Sequence, residues 1–441
     1  MSTPRKKVLI VTYYFPPSGG SGVQRTLKFV KYLREFGWEP VVLTARDADY
    51  PVYDESLFSE VPEGVRVYRS RIWEPYRFYR KLTGRQASES TDIAALTRDV
   101  ETQRRFSERL SEWVRAAFFV PDGRVGWKPF AYRLGKKILA DEEIQVIFSS
   151  APPYTTHLIA RRLKRASGLP WVADFRDSWI GWLSAPQWRP RLARKLELRM
   201  EGAVLREADR LLAVSHGVRE DLLSRHPEAA GDRWAWLPNG YDAADFEAVQ
   251  PVPRNHRLTL TYVGSLYGPR NPEALVRALE QLKGEGGAEL ARLRVRFVGR
   301  IGQPILERLK RSKVSAMFDV VPYVSHAESL AYLLATDVAL LIIDDAPANR
   351  GILTGKLFEY IGAGKPILAL APEGEAADLI RSENLGWVVP PDDPEAVRKT
   401  LLELLQNQKL DQLRTNQKMR RKFERRQQTQ ELARILDELR A

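Results

Sequence analysis

Thr354-Gly355-Lys356-Leu357-Phe358-Glu359-Tyr360-Ile361-Gly362-Ala363-Gly364-Lys365-Pro366 lies between two apolar runs of strand length, Val338 to Ile343 and Pro366 to Leu370. Within it the apolar spacing turns helical, with Leu357, Tyr360 and Ile361 at i, i+3 and i+4. Gly362 and Gly364 suit a helix end, where left-handed backbone is common. The unit reads as strand, Gly-containing loop, short helix, strand. Thr354 or Gly355 then sits at the helix start, where unpaired N–H groups and the positive dipole end favour an anion. Lys356 adds a full charge. Glu359 follows one turn later on the same side and offers an acceptor for a sugar hydroxyl. Phosphate beside sugar describes a nucleotide-sugar. An ordinary strand–loop–helix unit with a solvated lysine has the same pattern, so the rest of the chain must decide. Gly351 to Lys356 is one residue short of a Walker loop and lacks Ser or Thr after the lysine, which argues against an NTPase.

The alternation of strand and helix extends in both directions. In the second half, Leu258 to Ser265 opens it, and a loop containing Gly264, Gly268 and Arg270 precedes a helix from Pro272. A Gly-rich loop with an Arg at a strand's carboxyl end is a second phosphate cradle. Further strands are expected at 295–299, 320–323 and 387–390, with a helical tail from Pro394. In the first half, Lys7 to Phe15 reads as a buried strand, Pro16 to Gly22 as a Gly-rich loop, and Val23, Leu27, Val30 and Leu33 as one helical face. A strand at 40–44 completes a βαβ opening of a doubly wound sheet. The glycines miss the G-x-G-x-x-G fingerprint, so no dinucleotide site is assigned. Strands follow at 65–68, 146–150, 171–177 and 210–215. A loop at Gln86–Asp92 and a helix over Thr91–Phe118 are expected between them. Asp174, Arg176 and Asp177 fall at a strand's carboxyl end, where open α/β sheets bind ligands. Asp174 or Asp177 is then either a base or acceptor-hydroxyl ligand, or half of a structural ion pair with Arg176. Residues from about 241 to 257 read as a linker. Two α/β units joined in this way imply a deep cleft between them.

With 441 residues the chain has room for two or three cored domains. It has no apolar run of 18 residues, so no membrane-spanning helix is expected. The start, Met-Ser-Thr-Pro-Arg-Lys-Lys, does not read as a leader. A cytoplasmic protein is expected. Zero cysteines exclude disulfides, thiolate metal sites and a Cys nucleophile, and the five histidines show no ligand spacing. The net charge is +13, with a local peak: Arg161 to Arg199 holds ten Lys/Arg against Asp174, Asp177 and Glu197. Trp171, Phe175, Trp179, Trp182 and Trp188 lie in the same stretch. Basic plus aromatic suits nucleic acid, an anionic membrane surface, or a solvated face over buried tryptophans. Nucleic acid leaves the paired phosphate loops unexplained and ranks last as a partner.

Taken in order, several segments resemble the retaining GT-B glycosyltransferases of family 4. They are Pro16 to Gly20, Ser149 to Pro153, Ala173 to Asp177, Ala208 to Ser215, Leu237 to Asp242, Tyr262 to Leu266, and Lys356 to Pro366. The resemblance implies an α/β GT-B fold with two Rossmann-like doubly wound domains facing across a cleft. Residues 1–245 would form the acceptor-binding domain and 246–415 the nucleotide-sugar-binding domain. Residues 416–441 would add a terminal helix, drawn as crossing back to the first domain. It also implies that Gly19 and Gly20 approach donor phosphate or acceptor, that Gly264, Ser265 and Arg270 face the phosphates, and that backbone N–H groups from Thr354 to Leu357 hold the diphosphate. Glu359 matches the second Glu of the E-x7-E motif and would hold ribose, while the base would lie at Tyr323-Val324. The first Glu of that motif would fall at 351, where this chain has Gly351. Leu353 and Thr354 backbone groups are expected to substitute. The family's histidine before Pro152 is replaced by Ser150, placed with Arg176 on the acceptor side.

The implied activity is metal-independent transfer from a nucleoside-diphosphate-sugar, with no cofactor, to a glycan or lipid-linked hydroxyl in cell-surface polysaccharide or glycolipid synthesis. It would take place in the cytoplasm or at the inner face of the membrane. Asp174, Asp177, Arg270 and Lys356 are the catalytic candidates. The rival readings are a nucleotide-sugar epimerase of the same fold, a non-catalytic nucleotide-sugar binder, and a basic membrane-surface protein.

Overall fold

A computed structural model describes residues 5–50, 52–74, 119–180, 190–254, 256–406 and 417–440. The loop at Gln86–Asp92, the helix over Thr91–Phe118, and Trp182 and Trp188 lie outside the described residues. The chain forms two compact units, one of residues 1–238 with 426–441, the other of residues 239–425.

The first unit is built on a sheet of seven parallel strands: β1 (Lys6–Val11), β2 (Trp38–Ala45), β3 (Arg66–Ser70), β4 (Ile144–Ala151), β5 (Trp171–Phe175), β6 (Arg210–Ala213) and β7 (Trp234–Trp236). Their order is β3-β2-β1-β4-β5-β6-β7, so the direction of winding reverses between β1 and β4. Val8 to Val11 and Val146 to Phe148 are fully buried, as continuous apolar runs must be when helices cover both faces of a parallel sheet. On one face α1 (Ser21–Tyr32) buries Val23, Leu27 and Val30. On the other lie α2 (Lys128–Asp141), α3 (Thr155–Ser167), α4 (Arg191–Glu207) and α5 (His216–Arg225).

Two predicted strands are shorter than their apolar runs. The first stops at Val11 because Tyr13 turns into an aromatic cluster with Tyr14, Tyr50 and Trp127 at the sheet's carboxyl edge. The strand at 171 stops at Phe175, leaving Arg176 and Asp177 beyond the sheet. Strand β7 carries none of the long apolar runs that mark the other strands, and sequence reading missed it.

The second unit repeats the plan with six parallel strands: β8 (Leu258–Val263), β9 (Leu293–Val298), β10 (Phe318–Val321), β11 (Val338–Ile342), β12 (Ile367–Leu370) and β13 (Gly386–Val389). The order is β10-β9-β8-β11-β12-β13, with the reversal between β8 and β11. Helices α6 (Ala243–Glu247), α7 (Glu273–Gly284), α8 (Gln303–Arg311), α9 (His326–Leu334), α10 (Gly355–Gly362), α11 (Glu375–Ser382), α12 (Pro394–Leu405) and α13 (Gln417–Lys422) complete it. Asp393 caps α12 by accepting from the N–H groups of Glu395 and Ala396.

The unit boundaries differ from 245 and 415. Tyr241 exchanges backbone hydrogen bonds with Phe423 and Arg425, at 3.0 and 2.8 Å, which fastens both ends of the segment to the second unit. A side chain at Gly362 would meet the Tyr241 ring at 2.5 Å, so this contact requires glycine. The final helix α14 (Arg425–Glu438) belongs with the first unit. It buries Leu432, Ala433, Ile435 and Leu436 beside Val8 and Ile10. Ion pairs Lys6–Asp437, at 2.6 Å, and Arg210–Glu438, at 2.9 Å, hold it there.

Candidate functional site

In open α/β sheets, ligands bind outside the carboxyl ends of strands where the winding reverses. In the second unit that point lies beyond Val263 of β8 and Ile342 of β11, and α10 begins above it. Gly264 follows β8 with φ +125°, and a Cβ there would lie 2.2 Å from Cε of Lys356. Gly299, at the end of β9, has φ +133°, and its Cβ would lie 2.3 Å from the Gly264 carbonyl oxygen. Both backbones are in the region open to glycine, and both contacts leave no room for a side chain. The lysine stem therefore lies across Gly264, and its ammonium stands 5.1 Å from the centre of the buried Tyr262 ring.

The start of α10 is open. Thr354 is extended and its side chain caps nothing, and its Oγ1 is buried without a hydrogen-bond partner. Around Gly355 there is free space on the side a Cβ would take. One predicted contact needs correcting: the Leu357 N–H donates to the Thr354 carbonyl at 3.2 Å, so it is not offered to a ligand. Leu353 and Leu357 bury their side chains. The N–H groups available to an anion are those before Leu357.

Glu359 is part-buried, and burial raises its carboxyl above the ordinary value while His326 and Lys356 oppose that rise. His326, in the first turn of α9, lies 3.6 Å from Asp245. Ser325 and Glu328 form a reciprocal capping box at that helix start. Arg270 lies 3.6 Å from Asp344, just past β11, with its Nε buried and not hydrogen-bonded. The Asp344 carbonyl accepts from the Asn349 side chain at 2.9 Å, which ties down the loop leading to α10. Ser265 accepts the Tyr262 hydroxyl on its carbonyl at 2.9 Å. Tyr323 and Val324 follow β10, two strands from β8. The Tyr323 ring is exposed, with the Arg300 guanidinium 4.9 Å from its centre.

At the corresponding edge of the first unit, Asp174 and Ser150 are sealed from water. Asp174 is fully buried and its pair is Arg25, not Arg176: Nε and Nη2 of Arg25 donate to its two oxygens at 2.9 and 2.7 Å. Ser150, also buried, donates to Asp174 at 2.7 Å. Arg25 further donates to the carbonyls of Leu237 and Pro238, both at 2.8 Å. Asp174 and Ser150 are thus removed as a base and an acceptor ligand, because their hydrogen bonds are spent inside the protein. Gly19 donates its N–H to Val52 at 2.8 Å, and a Cβ there would lie 3.0 Å from Val52 and Asp54 side chains. Its role is close packing, whereas Gly20 is exposed at the start of α1. Arg176 donates to the carbonyls of Ala151, Pro152 and Gly22.

Asp177 also lies at this edge, just past β5. Burial pushes its carboxyl up to about 7, against the pull of Arg176. Behind it Ser149 bridges His157 Nδ1 and the Trp171 indole N–H, each at 2.8 Å, and burial holds His157 down to about 3, neutral at any ordinary pH.

Sequence reading missed Arg25, Asp344, His326 and Gly299. Gly299 and Asp344 each sit one or two residues past an apolar strand, and that position was their available signal.

Residues 19–240 match the glycosyl transferase 4-like domain, and residues 257–407 match the glycosyl transferases group 1. The chain belongs to these glycosyltransferase families. It is 23% identical over 276 residues to a probable glycosyltransferase, WbjE, of Pseudomonas aeruginosa, covering 59% of this chain and 66% of that protein, just under two thirds. Its fold is similar to HepE of Anabaena in complex with UDP and glucose, with a TM-score of 0.61, 13% identity, and 98% and 100% of the two chains covered. A glycosyltransferase of Rickettsia africae gives a TM-score of 0.60 at 14% identity, covering 99% of each chain. These neighbours have the GT-B fold of two Rossmann-like sheets.

Proposed function

We propose that the chain transfers a sugar from a nucleoside-diphosphate donor to a hydroxyl acceptor, with retention of configuration and without a metal, in the assembly of a cell-surface polysaccharide or glycolipid. The observation that carries this reading is the open start of α10, with the unpartnered Thr354 hydroxyl, the clear space at Gly355 and Lys356 held across Gly264. A helix start beside a lysine is the chemistry a diphosphate needs.

As the bond from the anomeric carbon to phosphate oxygen breaks, its electron pair passes to the diphosphate. The N–H groups before Leu357 and the Lys356 ammonium offset that charge, at about 1.5–3 kcal/mol for each charge-assisted bond. Arg270 supplies a second cation, steered by Asp344. Glu359 accepts hydrogen bonds from the ribose, and Tyr323-Val324 receives the base. Ser265 and the Leu353 and Thr354 backbone complete the donor side, where no Glu stands at 351. The acceptor hydroxyl attacks the face the diphosphate leaves, and the departing phosphate takes its proton. Asp177 and Gly20 serve the acceptor side, and Arg176, whose guanidinium donates to the carbonyls of Gly22, Ala151 and Pro152, holds the loops around them.

Incubation with UDP-, GDP- and TDP-sugars in EDTA, with a panel of glycan and lipid-linked acceptors, tests the reading. Nucleoside diphosphate is expected to be released with one donor and to fall away in Lys356→Ala and Glu359→Ala. Binding without release under every acceptor would instead make the chain a nucleotide-sugar binder, and loss of release in EDTA would overturn the metal-free mechanism.

A further inference from the structure

The helix whose start forms the candidate donor site is short. It has eight residues, about 12 Å, and a helix of that length depends on its neighbours for its position. Its far end closes on left-handed Gly364, φ +67°, whose N–H donates to the Ile361 carbonyl at 3.0 Å, while the Lys365 N–H donates to the Tyr360 carbonyl at 3.2 Å. The Ala363 N–H donates to the Glu359 carbonyl at 2.8 Å. None of these bonds reaches the Gly362 carbonyl. That oxygen accepts from Nη2 of Arg420, on α13. A cation at this end also meets the negative pole of the helix.

Two further contacts join the same segment to the same helix. Phe358 lies one turn before Gly362 on one face of α10. Its ring centre is 5.1 Å from that of Phe423, and both rings are fully buried. Tyr241, which pairs through its backbone with Phe423 and Arg425, lays its ring where a Gly362 side chain would stand. Buried Arg425 is among the cations that oppose the rise of the Glu359 carboxyl. Residues 420–425 thus act on α10 at Phe358, Glu359 and Gly362, all within the second unit. Gly362 lies about 10 Å along the helix from Gly355, so Arg420 grips α10 at the end away from the open start.

We infer that Arg420 is a positioning residue of the donor site: by holding the end of α10, it sets the aim of Lys356 and of the N–H groups before Leu357. The Lys356 stem lies against Gly264 with no room to spare, so a tilt of α10 carries the ammonium away from its place over Tyr262. A misplacement of about 1 Å from a distant change is enough to weaken a site of this kind. The coupling is reciprocal, so a nucleotide that fixes the start of α10 also steadies residues 420–425. The inference rests on the proposed diphosphate site.

Calorimetric titration of UDP, GDP and TDP into the full chain tests it, with the parent, Arg420→Ala, Arg420→Lys and Arg421→Ala compared. Arg421 is the exposed cation next in sequence and serves as the control. The nucleotide that binds the parent should lose roughly fivefold or more of its affinity in Arg420→Ala and recover to within about twofold in Arg420→Lys, which keeps the charge and a donor. Arg421→Ala should bind as the parent does. Rescue by lysine separates aim from general destabilisation, as does thermal unfolding of each variant. Hydrogen exchange on the parent needs no variant: the amides of residues 420–425 should exchange more slowly once nucleotide is bound. Parent affinity in Arg420→Ala, equal losses in Arg420→Ala and Arg421→Ala, or unchanged exchange at 420–425 on binding would overturn the inference and leave the diphosphate site standing. A parent that binds none of the three nucleotides would overturn both.

Discussion

The two sheets end in opposite ways at their carboxyl edges. In the first unit, the carboxylate near the end of β5, Asp174, is matched by Arg25 and Ser150 and shut away from water. In the second, the Thr354 hydroxyl and the Arg270 Nε lack hydrogen bonds, and Glu359 carries a raised carboxyl. A buried polar group left unmatched costs free energy unless a ligand completes it. The carboxyl edge thus carries a structural clasp in one unit and unmatched polar groups in the other. Residue type alone does not separate them, since an Asp beside an Arg at a strand end looks equally functional in both.

The sharpest break of this contrast is Asp174→Ala. Removing one partner leaves Arg25 charged and buried, and about 3–5 kcal/mol of stability should be lost in urea unfolding. A variant as stable as the parent would show that the clasp is not structural. Lys356→Ala should do the reverse. Turnover should fall by about 10²–10³-fold, with stability changed by less than about 1 kcal/mol. Gly264→Ala joins the two effects, because it forces a side chain into Lys356 from a strained backbone. A loss of about 1–3 kcal/mol is expected together with weaker nucleotide binding. A Gly264→Ala protein with normal affinity would mean that the lysine position is unimportant.

A further effect is one of pH. The folded Asp177 carboxyl, at about 7, lies above its ordinary value of 3.8, so between those values the folded protein binds more protons than the unfolded one. Stability from this group is complete below the ordinary value and is lost as pH rises through 7. Asp177→Asn should flatten that decline in denaturation midpoints measured across the window. An unchanged slope would show that Asp177 is ionised throughout, like an ordinary surface carboxylate.

The fold was largely legible because long apolar runs such as Val338 to Ile343 and Val146 to Phe148 can only be strands buried on both faces. Strand β7 was not, since Trp234-Ala235-Trp236 is short, part-buried and at the sheet edge. The helix start at Thr354 and the lysine after it were legible from spacing. The partner of Asp174 was not, because Arg25 lies 149 positions away and reads locally as one of the polar positions of an amphipathic helix. Likewise Arg176 looked like the natural partner because it is adjacent, yet its guanidinium faces backbone carbonyls. Unit boundaries were set by Tyr241 pairing with Phe423 and Arg425, a contact between distant segments that local composition does not reveal.

Calorimetric titration of UDP, GDP and TDP in EDTA, into the parent protein and Lys356→Ala, tests the central claim most directly. The account predicts that one of the three binds the parent without metal and loses about tenfold or more of its affinity in the variant, in line with one charge-assisted bond. No binding by any of the three, or equal binding by both proteins, would contradict a diphosphate site at the start of α10.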